Sequence, residues 1–315
     1  MRGYGAERVG RDEQGVIRMR TVTRCARLAC MILLLAAGLA VADVPRSCPA
    51  EALSPQPYFQ ASALQLVGLV APPPAPGTAA GRRDLEGVLE AQRDARRRGT
   101  TARAIADSEL SCVRIADVLG PDFNAARAPL ALYFLNRAAL AAASASGPGK
   151  TYWWRPRPYV ASPRVRPLAD VAPGALEGPG PFDAFREVCK ADPPRERRRV
   201  ADADPIRSFT SYPSGHAAFG TACAILLAGM VPEQRAALFQ RGRDYGHSRS
   251  IVGAHYPSDV EAGRIVATVA LAQMQQDAGF RRDDGRARAE LRAALGLPPD
   301  LPDLAPPRPV PPASR

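Results

Sequence analysis

The sequence predicts an all-α protein with a single domain, and three observations support this class. Apolar residues recur at helical spacing in seven segments of the chain. Strand-like alternation between turn residues is nearly absent, and no internal repeat is evident. When the two ends of the chain are set aside, about 250 residues remain, which is enough for one sizeable hydrophobic core.

The predicted helices run in chain order through most of this central region. They are Arg83–Arg98, Thr101–Val118, Ala125–Ala143, His216–Met230, Pro232–Gly246, Ser258–Gln276 and Arg286–Leu295. Pro232 suits the first turn of its helix, where a missing N–H is tolerated. We expect an irregular N-terminal segment at 43–82, a helical domain at 83–296, irregular connections within 159–210, and a disordered, proline-rich tail at 297–315.

Residues 1–42 have the composition of a secretory signal peptide. Met19–Cys30 carries three arginines and no acidic residue, Met31–Val41 is apolar, and small residues follow up to a cleavage site before Asp43. Met19 is an alternative translation start. The apolar stretch is shorter than the roughly 20 residues of a membrane-spanning helix, although an uncleaved anchor is the competing interpretation. We therefore expect a periplasmic or secreted protein with no integral membrane association in its mature form.

The charge of the chain is strongly positive, with 42 Lys plus Arg, 31 Asp plus Glu and a net charge of +11. Residues 1–42 contain seven arginines and three acidic residues, so the remaining chain keeps a net charge of +7. Such a surface attracts anionic substrates and anionic components of a cell envelope. Nucleic-acid binding is not predicted, because no basic stripe is interleaved with aromatic residues. The sequence does not determine whether the protein forms a homo-oligomer.

Four cysteines, Cys48, Cys112, Cys189 and Cys223, remain after the predicted cleavage site. In an exported chain they predict one or two disulfides among three possible pairings. Cys223 lies in an apolar predicted helix, so a buried free thiol is the alternative for this residue.

Three short stretches carry the residue types that phosphoryl transfer needs. They are Lys150–Pro158 (KTYWWRPRP), Pro213–His216 (PSGH) and Ser248–Asp259 (SRSIVGAHYPSD). Lys150, Arg157 and Arg249 supply permanent positive charge for the non-bridging oxygens of phosphate, so no metal or cofactor is expected. Ser214 and Gly215 precede a predicted helix, where unpaired N–H groups and the helix dipole favour an anion.

Two histidines and a carboxylate complete this candidate site. Of His216 and His255, one can attack phosphorus and the other can protonate the leaving oxygen. Asp259 lies four residues after His255, hence on the same face if the segment is helical, and can hold the imidazole in one tautomer. The third histidine of the chain is His247, which we expect to be either solvated or a neighbour that supports the site residues, and not catalytic.

The order Lys-x6-Arg-Pro, Pro-Ser-Gly-His and Ser-Arg-x5-His-x3-Asp resembles the signature of the type 2 phosphatidic acid phosphatase (PAP2) superfamily. The neighbouring residues Ser211–His216 and Tyr245–Arg249 look most like class A bacterial non-specific acid phosphatases, and the resemblance covers roughly residues 55–280. It implies a helical bundle with the site at the ends of central helices. It also implies metal-independent hydrolysis of small phosphate monoesters, with transfer to alcohols as a further activity.

The resemblance implies roles at the matching positions. The residue matching His255 becomes phosphorylated, and the one matching His216 is the general acid. The residues matching Lys150, Arg157, Ser214, Gly215 and Arg249 bind phosphate, and Asp259 orients His255. The long 159–210 stretch departs from class A members and predicts a surface excursion near the mouth of the site. His247 stands where these members usually carry glutamine.

Three other functions use the same residues. A lipid phosphatase has this site, but that branch typically has several membrane spans. A vanadium haloperoxidase holds vanadate in the same pocket and brominates with peroxide. A non-catalytic phosphate-binding protein of the envelope binds phosphate without turnover.

Overall fold

The computed structural model describes residues 47–60, 64–168, 181–186, 188–189 and 210–302. These residues contain eight helices of six residues or more and no β-strand, which confirms the all-α class. The helices are α1 (Ala79–Arg98), α2 (Thr101–Ala106), α3 (Pro129–Ser144), α4 (Gly147–Trp153), α5 (Gly215–Met230), α6 (Arg235–Ile251), α7 (Pro257–Met274) and α8 (Ala278–Ala294). The predicted signal peptide, most of the proline-rich tail and most of the predicted excursion lie outside the described residues.

Helix α5 is the centre of the core. It packs against α3, α6 and α7, while α8 packs on α3. Eleven of its sixteen residues are buried, so an apolar surface runs almost all round it. Glycines let the neighbouring helix come close: a Cβ atom on Gly220 would lie 2.3 Å from the Tyr245 ring, and one on Gly242 would lie 2.6 Å from Ala224 Cβ. Helices α5 and α6 are therefore packed at short range along much of their length.

Polar residues set the ends of the helices. Thr78 Oγ1 accepts from Gly81 N at 3.0 Å at the start of α1, which ends at Gly99 with φ of 69°. Ser214 Oγ accepts from Ala217 N at 3.2 Å at the start of α5. Asp277 Oδ1 accepts from Phe280 N at 2.7 Å, which explains why α8 begins eight residues before the predicted Arg286.

The prediction of one continuous helix over Thr101–Val118 is wrong. Helix α2 ends at Ala106, and only the single turn Val113–Ala116 and a following 3₁₀ turn resume the helical path. The interruption has a physical cause, because the buried carboxylate of Asp107 accepts hydrogen bonds from the side chains of α6. Helix α4 was not predicted from the periodicity.

Two disulfides link distant parts of the chain: Cys48–Cys189 and Cys112–Cys223. Cys223 is therefore not a free thiol. The N-terminal segment is also held by a buried carboxylate, since Asp283 Oδ2 accepts from Ser54 N at 2.7 Å and from Tyr58 Oη at 2.8 Å. Within the described ranges, the helices are all too short or too polar to cross a membrane.

Candidate active site

The three predicted stretches meet at one end of the helices. Lys150 lies on α4, Arg249 near the end of α6, and His216 in the first turn of α5. Arg157 Nη1 lies 3.3 Å from His255 Nε2 and donates to the carbonyl of Ala254 at 3.0 Å. The charged neighbours that act on His255 are Arg157, Lys150 and Arg249, so the cations surround this imidazole.

His255 is held in the turn between α6 and α7, and only 2% of its surface is exposed. The turn requires Gly253, which has φ of 81°, and the Arg249 carbonyl accepts from His255 N at 3.2 Å. Burial and the charges of Arg157, Lys150 and Arg249 hold the pKa of His255 well below its ordinary value. The lowered pKa favours the neutral imidazole, which is the form that a nitrogen nucleophile needs.

The carboxylate of Asp259 faces the opposite side of the His255 ring. Its Oδ2 lies 3.5 Å from Nδ1, and this nitrogen makes no hydrogen bond to the described residues. His255 precedes α7, so the two side chains do not meet on a helix face as expected. They meet because Asp259 Oδ2 also accepts from Tyr256 N at 2.8 Å and so caps the start of α7.

Arg155 is a residue of this site that the sequence interpretation missed. It is buried, and Nη1 donates to Asp259 Oδ1 at 2.6 Å and to Ser258 Oγ at 2.7 Å. Nη2 donates to Asp84 Oδ2 on α1 at 2.7 Å, and the guanidinium lies 3.8 Å from the centre of the Tyr256 ring. The signal was visible in the sequence as two consecutive Arg-Pro dipeptides, of which the motif spacing selects only the second.

The start of α5 supplies fewer backbone donors than expected. Ser214 N donates to the carbonyl of Asp259 at 2.9 Å, so this N–H is engaged within the protein. The Ser214 hydroxyl caps the helix and keeps a hydrogen to donate. Gly215 is partly exposed. A Cβ atom at this position would lie 3.1 Å from Ser146 Oγ, so glycine avoids a tight contact with that hydroxyl. The expected anion donors at this helix end are therefore the Ser214 hydroxyl and the Gly215 and His216 N–H groups.

His216 is partly exposed, and its Nε2 lies 3.1 Å from the carbonyl oxygen of Ser108. A carbonyl only accepts, so this contact places the hydrogen on Nε2 in the neutral ring. Burial in the site, followed by the charges of Arg249 and His255, holds the pKa of His216 well below its ordinary value. Ser108 is a second residue that the sequence interpretation missed.

The guanidinium of Arg157 remains cationic at neutral pH. Burial, opposed by Tyr159 and reinforced by Arg249, lowers the pKa of Arg157 to about 10. Arg249 is 2% exposed and donates from Nη1 to the Ser108 hydroxyl. Among the described residues, groups of three or more His, Cys, Asp or Glu side chains suited to a metal ion are absent. The positively charged side chains that act on His255 are those of Arg157, Lys150 and Arg249.

His247 and the two tryptophans of the first motif stretch differ in how far their side chains are exposed. His247 is exposed on α6, as expected for a solvated residue. Trp153 is half-buried and packs edge-on against Tyr212 at 5.0 Å between ring centres, whereas Trp154 is 48% exposed. The pair is thus split between core and surface.

The sequence of this chain is similar to one protein-family model and to several curated bacterial proteins. Residues 130–281 match the model of the PAP2 superfamily. The chain is 28% identical to an acid phosphatase of Zymomonas mobilis over 286 residues, which cover 87% of this chain and 95% of that protein. It is 43% identical over 93 residues to a non-specific acid phosphatase of Salmonella typhimurium, covering 30% of this chain and 37% of that relative.

A non-specific acid phosphatase of Providencia stuartii is 40% identical over 89 residues, which cover 28% of this chain and 36% of that protein. The aligned part thus spans about a third of the length of the Salmonella and Providencia relatives. The superfamily match contains Lys150, Arg157, His216, Arg249 and His255, the residues that the structure brings together. Residues 130–281 of the chain therefore match the PAP2 superfamily, and the curated proteins that the chain resembles are bacterial acid phosphatases.

Proposed function

We propose that this chain is an acid phosphatase that hydrolyses phosphate monoesters through a phosphohistidine on His255. The superfamily and the similar phosphatases support a phosphoric monoester hydrolase. The observation that carries the mechanism is the contact of Arg157 Nη1 with His255 Nε2 at 3.3 Å. A neutral nitrogen beside a permanent cation is placed to meet a phosphorus atom whose oxygens the same cation binds.

In the first step, His255 Nε2 attacks phosphorus and forms the N–P bond while the P–O bond to the alcohol breaks. Protonated His216 donates a proton to the departing oxygen and becomes neutral. Because Nε2 of His216 faces the Ser108 carbonyl, the proton that moves is the one on Nδ1. Asp259 faces Nδ1 of His255 and stabilises the positive charge that this ring gains.

In the second step, neutral His216 takes a proton from water, and the resulting oxygen attacks phosphorus as the N–P bond breaks. Inorganic phosphate leaves and His255 returns to its neutral form. An alcohol that replaces water receives the phosphoryl group instead, so phosphotransferase activity follows from the same residues. Lys150, Arg157 and Arg249 stabilise the charge of the transferring group in both steps.

The two disulfides are compatible with an extracytoplasmic protein. We propose that residues 1–42 direct export and that cleavage before Asp43 releases the mature enzyme to the periplasm or medium. N-terminal sequencing of the protein from the cell envelope tests this proposal. An intact N-terminus in the membrane fraction would show that Met31–Val41 is an anchor.

The decisive assay is phosphate release from p-nitrophenyl phosphate by the chain from Asp43 onward. We expect turnover with chelator present, and a phosphoenzyme trapped by an alkaline quench, which preserves the N–P bond, that is absent from His255→Ala. Phosphate binding without turnover would identify a binding protein and refute the proposed function. Peroxide-dependent bromination after vanadate addition, with no hydrolysis, would identify a haloperoxidase instead.

A further inference from the structure

We propose that Ser108 is a positioning residue for Arg249, and through it for the bound phosphate. The inference rests on the proposed function, because it assigns Arg249 to the phosphate site. Ser108 lies in the loop after α2, outside the three motif stretches. Its hydroxyl oxygen accepts a hydrogen bond from Arg249 Nη1, and its carbonyl lies 3.1 Å from His216 Nε2. One residue thus contacts the anion-binding cation and the proposed general acid.

The loop that carries this serine is held firmly along α6. The buried Asp107 carboxylate accepts from Arg241 Nη1 at 3.1 Å and from Ser248 Oγ at 2.7 Å. On the other side of the serine, Tyr245 Oη donates to the carbonyl of Glu109 at 2.8 Å. The residues before and after Ser108, Asp107 and Glu109, are therefore both anchored to α6, the helix that carries Arg249. The serine hydroxyl has a defined position relative to that helix.

A fixed acceptor matters for an arginine because its side chain has many rotamers. Ordering such a side chain during binding weakens the affinity for a ligand, so a side chain that is ordered beforehand binds more tightly. A guanidinium has five N–H donors and can hold Ser108 and phosphate oxygens at the same time. Loss of the Ser108 hydroxyl is expected to affect phosphate affinity and KM more than kcat.

The test uses two variants of Ser108, one control variant of Ser111 and an Arg249→Lys background, with inorganic phosphate as the probe. Ser108→Thr keeps a hydroxyl, whereas valine in Ser108→Val has nearly the shape of threonine but no hydroxyl. Both variants retain the backbone carbonyl of residue 108 that contacts His216. Ser111→Ala is the matched control, because the buried Ser111 hydroxyl lies in the same loop and contacts Val113 N instead of the site. Phosphate Kd is measured by calorimetry, KM with p-nitrophenyl phosphate, and Tm by thermal unfolding.

We expect Ser108→Val to raise phosphate Kd and KM about 10-fold, the usual size for a hydrogen bond to a charged group. Ser108→Thr and Ser111→Ala should remain within about 3-fold of the wild type. In the Arg249→Lys background the same Ser108→Val change should have little effect, because its partner is gone.

Equal Kd values for the threonine and valine variants would overturn the proposal. So would the same 10-fold loss in the Arg249→Lys background, because Ser108 would then act without Arg249. A wild-type chain that binds phosphate but hydrolyses no ester would refute the proposed function, while the Kd comparison would still decide the role of Ser108.

Discussion

Arg155 Nη1 and Asp259 Oδ1 form a buried ion pair at 2.6 Å directly behind the candidate nucleophile. Burial alone would lower the pKa of Arg155, but the carboxylates of Asp259 and Asp84 raise it above its ordinary value. The pair fixes the carboxylate that faces His255, and Asp84 ties the arginine to α1. The first turn of α7 and helix α1 are joined through one guanidinium.

Replacement of Arg155 by Ala should destabilise the protein strongly, because two buried carboxylates lose their cation. We expect a loss of about 3–5 kcal/mol in the free energy of unfolding, measured with denaturant. Arg164→Ala is the control, since its ion pair with Glu86 has side-chain exposures of 60% and 52% and should contribute less than about 1 kcal/mol. Similar losses in both variants would contradict a supporting role for Arg155.

Replacement of His216 by Ala should slow hydrolysis according to the leaving group. An alkyl phosphate releases a poor alkoxide that needs protonation, so kcat/KM should fall by about 100-fold or more. The fall for p-nitrophenyl phosphate should be much smaller, because p-nitrophenolate leaves without a proton. The measurement is the ratio of the two kcat/KM values, and equal losses would remove His216 from the role of general acid.

Phosphate binding should be accompanied by proton uptake at His216. Before phosphate binds, burial and the charges of Arg249, His255 and Arg157 keep the pKa of the His216 imidazole low. A bound phosphate dianion offsets those cations and favours the protonated ring. Calorimetry near pH 6 in two buffers of different ionisation enthalpy should detect up to one proton taken up, and His216→Ala should reduce this uptake. An identical uptake in that variant would assign the proton elsewhere.

The sequence predicted which residues meet at the candidate site better than it predicted the connections that hold them. Motif spacing found His255 and the cations because phosphoryl transfer restricts the residue types that can serve. It missed Arg155, Asp84 and Ser108, whose partners lie 71 to 174 residues away along the chain. The helix expected over Thr101–Val118 is interrupted because the hydrogen bonds that α6 side chains donate to the Asp107 carboxylate outweigh local periodicity. Such tertiary contacts leave no periodic pattern in one sequence.

As the pH is lowered, the free energy of unfolding should decrease more steeply in the wild type than in His255→Gln. The pKa of His255 in the folded site lies well below its ordinary value of 6.5. Below pH 6.5 the unfolded chain therefore binds a proton that the folded site excludes, so the free energy of unfolding decreases as the pH falls. The slope is about 1.4 kcal/mol per pH unit for one histidine. Denaturant unfolding between pH 5 and 6.5, in phosphate-free buffer, should show a smaller slope in the variant, and equal slopes would contradict the low pKa.

The two disulfides should differ in their effect on activity. Each closes a long loop, with sequence separations of 141 for Cys48–Cys189 and 111 for Cys112–Cys223, so removal of either should lower the free energy of unfolding by about 2–5 kcal/mol. Of the two disulfides, only Cys112–Cys223 ties the end of the Ser108 loop to α5, the helix that begins at the candidate site. Replacement of both cysteines by Ala avoids burying an unpaired hydroxyl.

We expect the Cys112→Ala, Cys223→Ala double variant to lose several-fold in kcat/KM even where it is fully folded. The Cys48→Ala, Cys189→Ala double variant is the matched control, and its kcat/KM should match the wild type below its own Tm. Circular dichroism establishes the folded fraction before each assay with p-nitrophenyl phosphate. If both double variants lost activity equally at matched folded fractions, the Cys112–Cys223 bond would contribute only global stability. If neither lost activity, the contacts of Asp107 with α6 would be sufficient to place the loop.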